Sequence, residues 1–252
     1  MVKVILGEDL AAALDPVCFA RKLGFEPDPW QAEVLRSPAK RIILNCCRQS
    51  GKSTVAALLA LHTALYRPPA LVLLLSPSLR QSSELFRKVA DLYRRVATEI
   101  PSEAESSLRL ELSNGSRIVS LPGKEQTIRG FSGVGLLVVD EAARVSDDLY
   151  NAVRPMLAVS GGRLVLLSTP FGKSGFFYRT WSEGGSDWFR IKVTAEDCPR
   201  ISPEFLEEER CTLGPWWYRQ EYLCEFEDSE TQVFPSDLIR EAISKEVRRW
   251  AL

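Results

Sequence analysis

Hydrophobic residues along this chain form short unbroken runs and do not alternate with polar ones. Four such runs, RIILNC, LVLLLS, LLVVDE and RLVLLS, occupy residues 41–46, 71–76, 136–141 and 163–168. Continuous apolar runs of this length are typical of strands that are covered on both faces. The pattern therefore predicts a mainly parallel sheet flanked by helices.

Helical patterns separate these strands. Residues 53–66 are rich in alanine and leucine and are soon followed by Pro68 and Pro69, which end a helix. Residues 78–99 carry apolar side chains at helical spacing, and further helices are predicted within 8–36. Strands that alternate with helices in this way predict a doubly wound α/β fold.

Three segments depart from this alternation. Residues 108–122 contain two short strands around Asn114-Gly115, which predicts an antiparallel hairpin on the sheet edge. The run at 189–195 is the last predicted strand. Residues 202–226 predict two short helices around Gly214-Pro215.

Charge and composition narrow the possible partners. The net charge of −1 is uneven: +5 over residues 1–100, +1 over 101–180 and −7 over 181–252. A uniformly basic nucleic-acid-binding surface is excluded, and a polyanion would favour the first two-thirds of the chain. No apolar run approaches the roughly 18 residues that span a membrane. Six cysteines without a CxxC pair, beside one histidine, favour free thiols over a zinc site.

The segment CRQSGKST follows the first strand and begins the first helix of the core. Aligned to the phosphate-loop pattern G-x-x-x-x-G-K-[ST], residues 46–53 match at Gly51, Lys52 and Ser53 and differ only at Cys46. Gly51 lets the backbone wrap a phosphate, Lys52 would reach the β- and γ-phosphates, and Ser53 would bind Mg²⁺. Three more residues of the nucleotide-binding loop are Gln49, Ser50 and Thr54.

Two further strand ends carry polar residues. Asp140 and Glu141 end the third apolar run, where Asp140 would hold the metal and Glu141 would polarise an attacking water. A glutamate in that position suits a hydrolase and not a kinase, which must exclude water. Ser168 and Thr169 end the fourth run, and their hydroxyls would sense a γ-phosphate or its water.

Two segments outside the strands complete the candidate site. In PDPWQ, before the first strand, Gln31 offers an amide that matches the adenine edge and favours ATP over GTP. Trp30 beside it either packs in the core or stacks on the base. Arg129 lies in a glycine-rich loop before the Asp-Glu strand, and is either a solvated charge or an arginine finger for a neighbouring subunit.

These motifs, in this order, predict a P-loop NTPase with a RecA/ASCE-like core. Together they resemble the ATPase domain of the large terminase subunit of tailed bacteriophages, the motor that packages DNA. The resemblance is carried by WQ, CRQSGKST, VVDEAA and LLSTP, by the IRGF loop and by GFFYRTW and WYRQEYLCEF. The family's phosphate loop often lacks the first glycine and has an arginine where Arg48 stands.

The resemblance implies an ATP hydrolase with Mg²⁺. It places Arg48 and Lys52 on the β,γ-phosphates, and Arg129 in the site of the next subunit of a five-membered ring. Ser168 and Thr169 would couple hydrolysis to movement of a small lid. The implied partners are double-stranded DNA, a portal protein and a small terminase subunit, in the cytoplasm of the infected bacterial host, with no membrane.

We expect three parts along the chain: an ATPase core at 1–175, a lid with the last strand at 176–230, and a linker helix at 231–252. The family's second domain is a nuclease, and too few residues follow QEYLCEF to form one. We therefore interpret the chain as the motor part, without nuclease activity.

Two other interpretations remain open at this point. A superfamily-two helicase or related DNA translocase shares these motifs, but needs a second RecA-like domain. A P-loop assembly module would bind nucleotide without turnover, and the presence of Glu141 argues against it.

Overall fold

The computed structural model describes residues 2–97, 100–123, 130–228, 238–239 and 242, with side chains from residue 7 onwards. Within that part an eight-stranded sheet runs in the order β3-β4-β5-β2-β6-β7-β1-β8. The strands are β1 (Arg41–Cys46), β2 (Leu71–Ser76), β3 (Ser102–Glu105), β4 (Arg109–Leu112), β5 (Arg117–Pro122), β6 (Leu136–Asp140), β7 (Arg163–Ser168) and β8 (Phe189–Val193).

The centre of the sheet is parallel, as the apolar runs predict. Strand β7 pairs with β1 on one side and with β6 on the other. The last residues of β1, β6 and β7 therefore lie side by side at one edge of the sheet. This order puts Ser168 between the phosphate loop, which follows β1, and the acidic pair at the end of β6.

The predicted hairpin is confirmed at the sheet edge. Strands β4 and β5 pair antiparallel, and β5 pairs parallel with β2. One strand has no counterpart in the sequence prediction: β3 pairs with β4, although all four of its residues are exposed. Its sequence, SEAE, lacks the apolar pattern that marks a strand, because an exposed edge strand buries no side chains.

Helices cover both faces of the sheet. They are α1 (Val2–Leu14), α2 (Pro16–Lys22), α3 (Pro29–Arg36), α4 (Lys52–Tyr66), α5 (Leu79–Tyr93), α6 (Asp147–Val153), α7 (Gly175–Glu183) and α8 (Pro203–Glu221). One hydrophobic cluster joins residues of α2 to α5 to one face, and a second joins residues of α6 and α7 to the other. Two buried faces explain why the central strands read as unbroken apolar runs.

The helix ends differ from the prediction in three places. Helix α1 begins at Val2, earlier than the predicted residue 8, and α5 ends at Tyr93 within the predicted 78–99. The two short helices predicted around Gly214 form α8 with a kink, where Gly214 has a φ of 76° and Pro215 follows. The predicted helix at 231–252 falls almost wholly outside the described residues.

Two features are absent from the described residues. No helix in them is long and apolar enough to cross a membrane. Within the same ranges, no group of three or more histidine, cysteine or acidic side chains could hold a metal ion.

Candidate active site

The phosphate loop connects the end of β1 to the start of α4. Gln49 and Gly51 have positive φ values of 58° and 91°, so the backbone turns sharply twice before Lys52 begins the helix. Cys46, which stands where the common pattern has glycine, is fully buried in the core. Burial raises the pKa of the Cys46 thiol well above its usual range, so this side chain stays neutral and packs.

Lys52 lies where three motifs meet. Its Nζ is 3.3 Å from Oγ1 of Thr169, to which it donates, and 3.4 Å from Oε1 of Glu141. Burial opposes a charged Lys52, but the charges of Glu141 and Asp140 outweigh it and raise its pKa. The ammonium is therefore present on a side chain that is only 8% exposed, where a charge acts strongly on a phosphate.

Asp140 and Ser53 lie side by side. The Ser53 hydroxyl donates to Oδ2 of Asp140 at 3.3 Å, and the backbone N–H of Glu141 donates to Oδ1 at 3.0 Å. Burial and the neighbouring Glu141 charge together raise the pKa of Asp140 to about 6. Two hard oxygen ligands, one of them a buried carboxylate, are a donor set that fits Mg²⁺.

Glu141 is positioned by its backbone. Its φ of 49° is uncommon for a residue with a side chain, and such strain concentrates at functional sites. The turn directs the carboxylate at Lys52 on one oxygen and at the Ser168 hydroxyl, 3.5 Å away, on the other. The side chain keeps 24% of its surface exposed, so water can reach it.

The structure brings together Lys52, Ser53, Asp140, Glu141, Ser168 and Thr169, as expected from the strand ends. Arg48 points elsewhere. Its Nε donates to Oε2 of Glu221, near the end of α8, at 2.5 Å, and its side chain is 63% exposed. The Glu221 carboxylate is 7% exposed, and its other oxygen lies 3.9 Å from Arg144.

Gln31 lies beneath the phosphate loop and is fully buried. Its Nε2 donates to the Ser50 carbonyl at 3.3 Å, and its Oε1 accepts from the Asp28 N–H at 2.8 Å. A Cβ placed on Gly51 would lie 2.7 Å from that Nε2, so the loop covers the amide. Trp30 is partly buried against the core. Arg129 lies outside the described residues.

Helix α8 supplies contacts that the motifs do not reveal. Besides Glu221, its residue Gln220 accepts from the N–H of Gly172, in the turn after Thr169, at 3.4 Å. Before the helix, Arg200 donates to the Ser50 carbonyl at 2.9 Å. Gln220 and Glu221 lie in the WYRQEYLCEF segment that carries part of the resemblance, but no local pattern gives their contacts or that of Arg200, since each contact joins positions far apart in the chain.

The fold and the site define a P-loop NTPase. A family model described as "Terminase large subunit, T4likevirus-type, N-terminal" matches residues 43–241. The chain therefore belongs to the terminase large-subunit family, and the resemblance drawn from its motifs is confirmed.

Curated relatives are similar over most of the chain. The large terminase subunit of Thermus virus P23-45 is 26% identical, over 86% of this chain and 52% of the relative. That of Escherichia phage T5 is 27% identical, over 79% of this chain and 47% of the relative. The chain thus spans about half the length of these relatives.

Solved structures confirm the fold. The large terminase ATPase domain of Thermus phage P74-26 superposes with a TM-score of 0.75 at 24% identity, over 82% of this chain and 97% of that domain. The large terminase of a thermophilic bacteriophage, in complex with ATP-gamma-S, has a TM-score of 0.62 at 15% identity, over 79% of this chain and 52% of that one.

Proposed function

We propose that this chain is the ATP-hydrolysing motor part of a terminase large subunit, and that hydrolysis drives double-stranded DNA into a procapsid. The observation that carries the proposal is the convergence of Lys52, Asp140, Glu141 and Ser168 at the ends of three adjacent strands. ATP hydrolysis needs a cation for the phosphates, an acceptor for the water proton and a metal site, and these four residues with Ser53 provide them.

Each group has a role that follows from its surroundings. Lys52, which is charged and buried, would stabilise the transferring phosphoryl group. Glu141, which water can reach, would orient the attacking water and accept its proton. Ser53 and Asp140 would hold Mg²⁺, which neutralises charge on the phosphate oxygens. Thr169, hydrogen-bonded to Lys52, would report the state of the γ-phosphate to the turn that contacts α8.

The proposed nucleotide is ATP, by analogy with the thermophilic phage terminase whose structure holds ATP-gamma-S. Gln31 remains the proposed reader of adenine, and to reach a base it would have to move out from beneath Gly51. Arg48 is proposed to turn from Glu221 to the β,γ-phosphates, which its exposed side chain allows.

The test compares turnover with binding. In Glu141→Gln the amide cannot accept a proton, so steady-state ATP turnover should fall by about 10²-fold or more. ATP binding should change by less than about threefold. Glu208→Gln, on an exposed part of α8, is the matched control and should resemble wild type. Equal slow turnover in wild type and Glu141→Gln, with ATP still bound, would favour the assembly module that binds without turnover.

The proposed assembly is a ring in which Arg129 acts on the neighbouring subunit, with a portal protein and a small terminase subunit as further partners in the host cytoplasm. Its support is the family membership. Subunits with Arg129→Ala and subunits with Glu141→Gln should each be inactive, and mixing them should restore part of the hydrolysis. No recovery at concentrations that allow assembly would contradict the trans role.

A further inference from the structure

One carbonyl of the phosphate loop is held from two sides. The Ser50 oxygen accepts from Gln31 at 3.3 Å and from Arg200 at 2.9 Å. A carbonyl oxygen has two lone pairs, so both bonds can form at once. The bond from Arg200 is the shorter one and comes from a charged donor, which makes it the stronger of the two.

Arg200 is itself fixed in place. Its guanidinium donates to Oδ1 of Asp28 at 2.9 Å and lies 2.7 Å from Oδ2 of the same side chain. Asp28 is the residue before α3, where Gln31 sits, so one arginine joins that helix to the phosphate loop. The segment that carries Arg200 also packs on the loop through Cys198, whose sulfur is 3.8 Å from that of Cys47.

The direction of the Ser50 carbonyl decides the direction of the next N–H. The peptide bond between Ser50 and Gly51 is trans, and in a trans peptide the C=O and N–H point opposite ways. A carbonyl turned towards Gln31 and Arg200 therefore turns the Gly51 N–H to the opposite side of the loop. Loops of this kind bind phosphate through backbone N–H groups at the start of the helix.

We propose that Arg200 is a positioning residue of the nucleotide site, which aligns the Gly51 N–H for phosphate by holding the Ser50 carbonyl. This inference rests on the proposed function, because it requires that the loop binds a phosphate chain. It assigns Arg200 no contact with the nucleotide. Arg200 acts through the Gly51 N–H, which would bind the phosphate end of the ligand. Loss of Arg200 should therefore weaken binding of every ligand that carries a phosphate chain.

The experiment measures binding of three ligands, ATP, GTP and inorganic tripolyphosphate, to the chain by calorimetry, beside ATP turnover. Arg200→Ala should weaken the binding of all three ligands by the same factor, about tenfold. This factor is at the lower end of the range for the loss of a charged hydrogen bond, because the guanidinium is half exposed. KM for ATP should rise to match, with kcat changed less than about twofold. Arg200→Lys should recover part of the affinity, because an ammonium can still donate to the Ser50 carbonyl. Recovery should be incomplete, because one ammonium cannot bond Ser50 and Asp28 together as the planar guanidinium does.

Arg36→Ala is the matched control. Arg36 ends α3, the helix that Arg200 joins to the loop, and it pairs with Asp15 at 2.6 Å. Its side chain is exposed to a similar degree as that of Arg200, but its partner Asp15 caps α2 and does not contact the loop. Arg36→Ala should lower the melting temperature about as much as Arg200→Ala and leave all three affinities unchanged.

Three results would overturn the inference while wild type still binds and hydrolyses ATP. They are unchanged affinities in Arg200→Ala, a loss confined to ATP, which would make Arg200 a base contact, and the same affinity loss in Arg36→Ala. If wild type binds neither ATP nor tripolyphosphate, the proposed function fails and this inference fails with it.

Discussion

Two regions flank the phosphate loop, and they are built differently. On one side is the proposed catalytic centre, made of Lys52, Asp140, Glu141 and the Ser168-Thr169 pair, each at the end of a strand or the start of a helix. On the other side is the α8 contact, which we define as Arg48 with Glu221 and Gly172 with Gln220. The first region follows from short motifs, whereas the second joins residues far apart in the chain.

The two regions also differ in their electrostatics. In the proposed catalytic centre Lys52 and Asp140 are both buried, so water screens their charges little. In the α8 contact Arg48 is 63% exposed whereas the Glu221 carboxylate is 7% exposed, so water screens only the arginine end of this ion pair. The comparison shows that Lys52 and Asp140 of the centre are both buried, whereas in the α8 contact the exposed Arg48 has room to change partner and Glu221 keeps Arg144 nearby.

The largest effect is expected in the proposed catalytic centre. Lys52→Ala removes the buried cation, so ATP turnover should fall by about 10²- to 10³-fold, even though Arg48 remains nearby. Steady-state phosphate release measures this, with the exposed Lys192→Ala as control. Turnover above about a tenth of wild type would mean that Arg48 can replace Lys52. That result would contradict the difference between the two regions.

A smaller effect is expected in the α8 contact. Arg48→Ala should lower turnover about tenfold, the equivalent of one charged contact with a phosphate. Glu221→Gln should change it less than about threefold, because Arg48 then loses its resting partner and not its proposed working one. The exposed Arg210→Ala is the control. Equal losses in Arg48→Ala and Glu221→Gln would assign the effect to the ion pair itself.

The last expected effect concerns stability and not turnover. Because the pKa of Asp140 is raised to about 6, its ionised form is disfavoured in the folded, metal-free protein. Asp140→Asn should therefore stabilise the metal-free chain by about 1–3 kcal/mol above pH 6, or several degrees in Tm. The gain should shrink as pH falls from 6 to 4, where the carboxyl becomes protonated in both states.

Thermal melts in a chelator at pH 7.5 and pH 4.5 measure this difference. Asp187→Asn, at an exposed position, should show no such pH-dependent gain. A lower Tm for Asp140→Asn at pH 7.5 would mean that the carboxylate stabilises the fold, contrary to its raised pKa.

Much of the fold could be predicted because its central strands are buried on both faces. Strands β1, β2, β6 and β7 appear where the apolar runs lie, and the Asn114-Gly115 hairpin is at the edge as predicted. The exposed strand β3 could not be predicted, since it buries no side chains. Helix ends were less accurate than helix positions, because the last turns of a helix depend on tertiary contacts.

The candidate site divides in the same way. The grouping of Ser53, Asp140, Glu141 and Ser168 follows from strand ends in a parallel sheet, and the structure brings them within hydrogen-bonding distance. The direction of Arg48 could not be derived from its motif. A long side chain on a loop takes the direction of whatever partner folding brings near, and here that partner is 173 residues away.

The sequence by itself determined the central strands of the sheet, the phosphate loop and the residues of the proposed catalytic centre, because each depends on hydrophobic periodicity or on a motif a few residues long. The tertiary structure alone decided how the loop is held: Gln31 beneath it, Arg200 on the Ser50 carbonyl, and Arg48 on Glu221. These contacts join segments that share no local pattern. They form only when packing of the sheet and helices brings their side chains together.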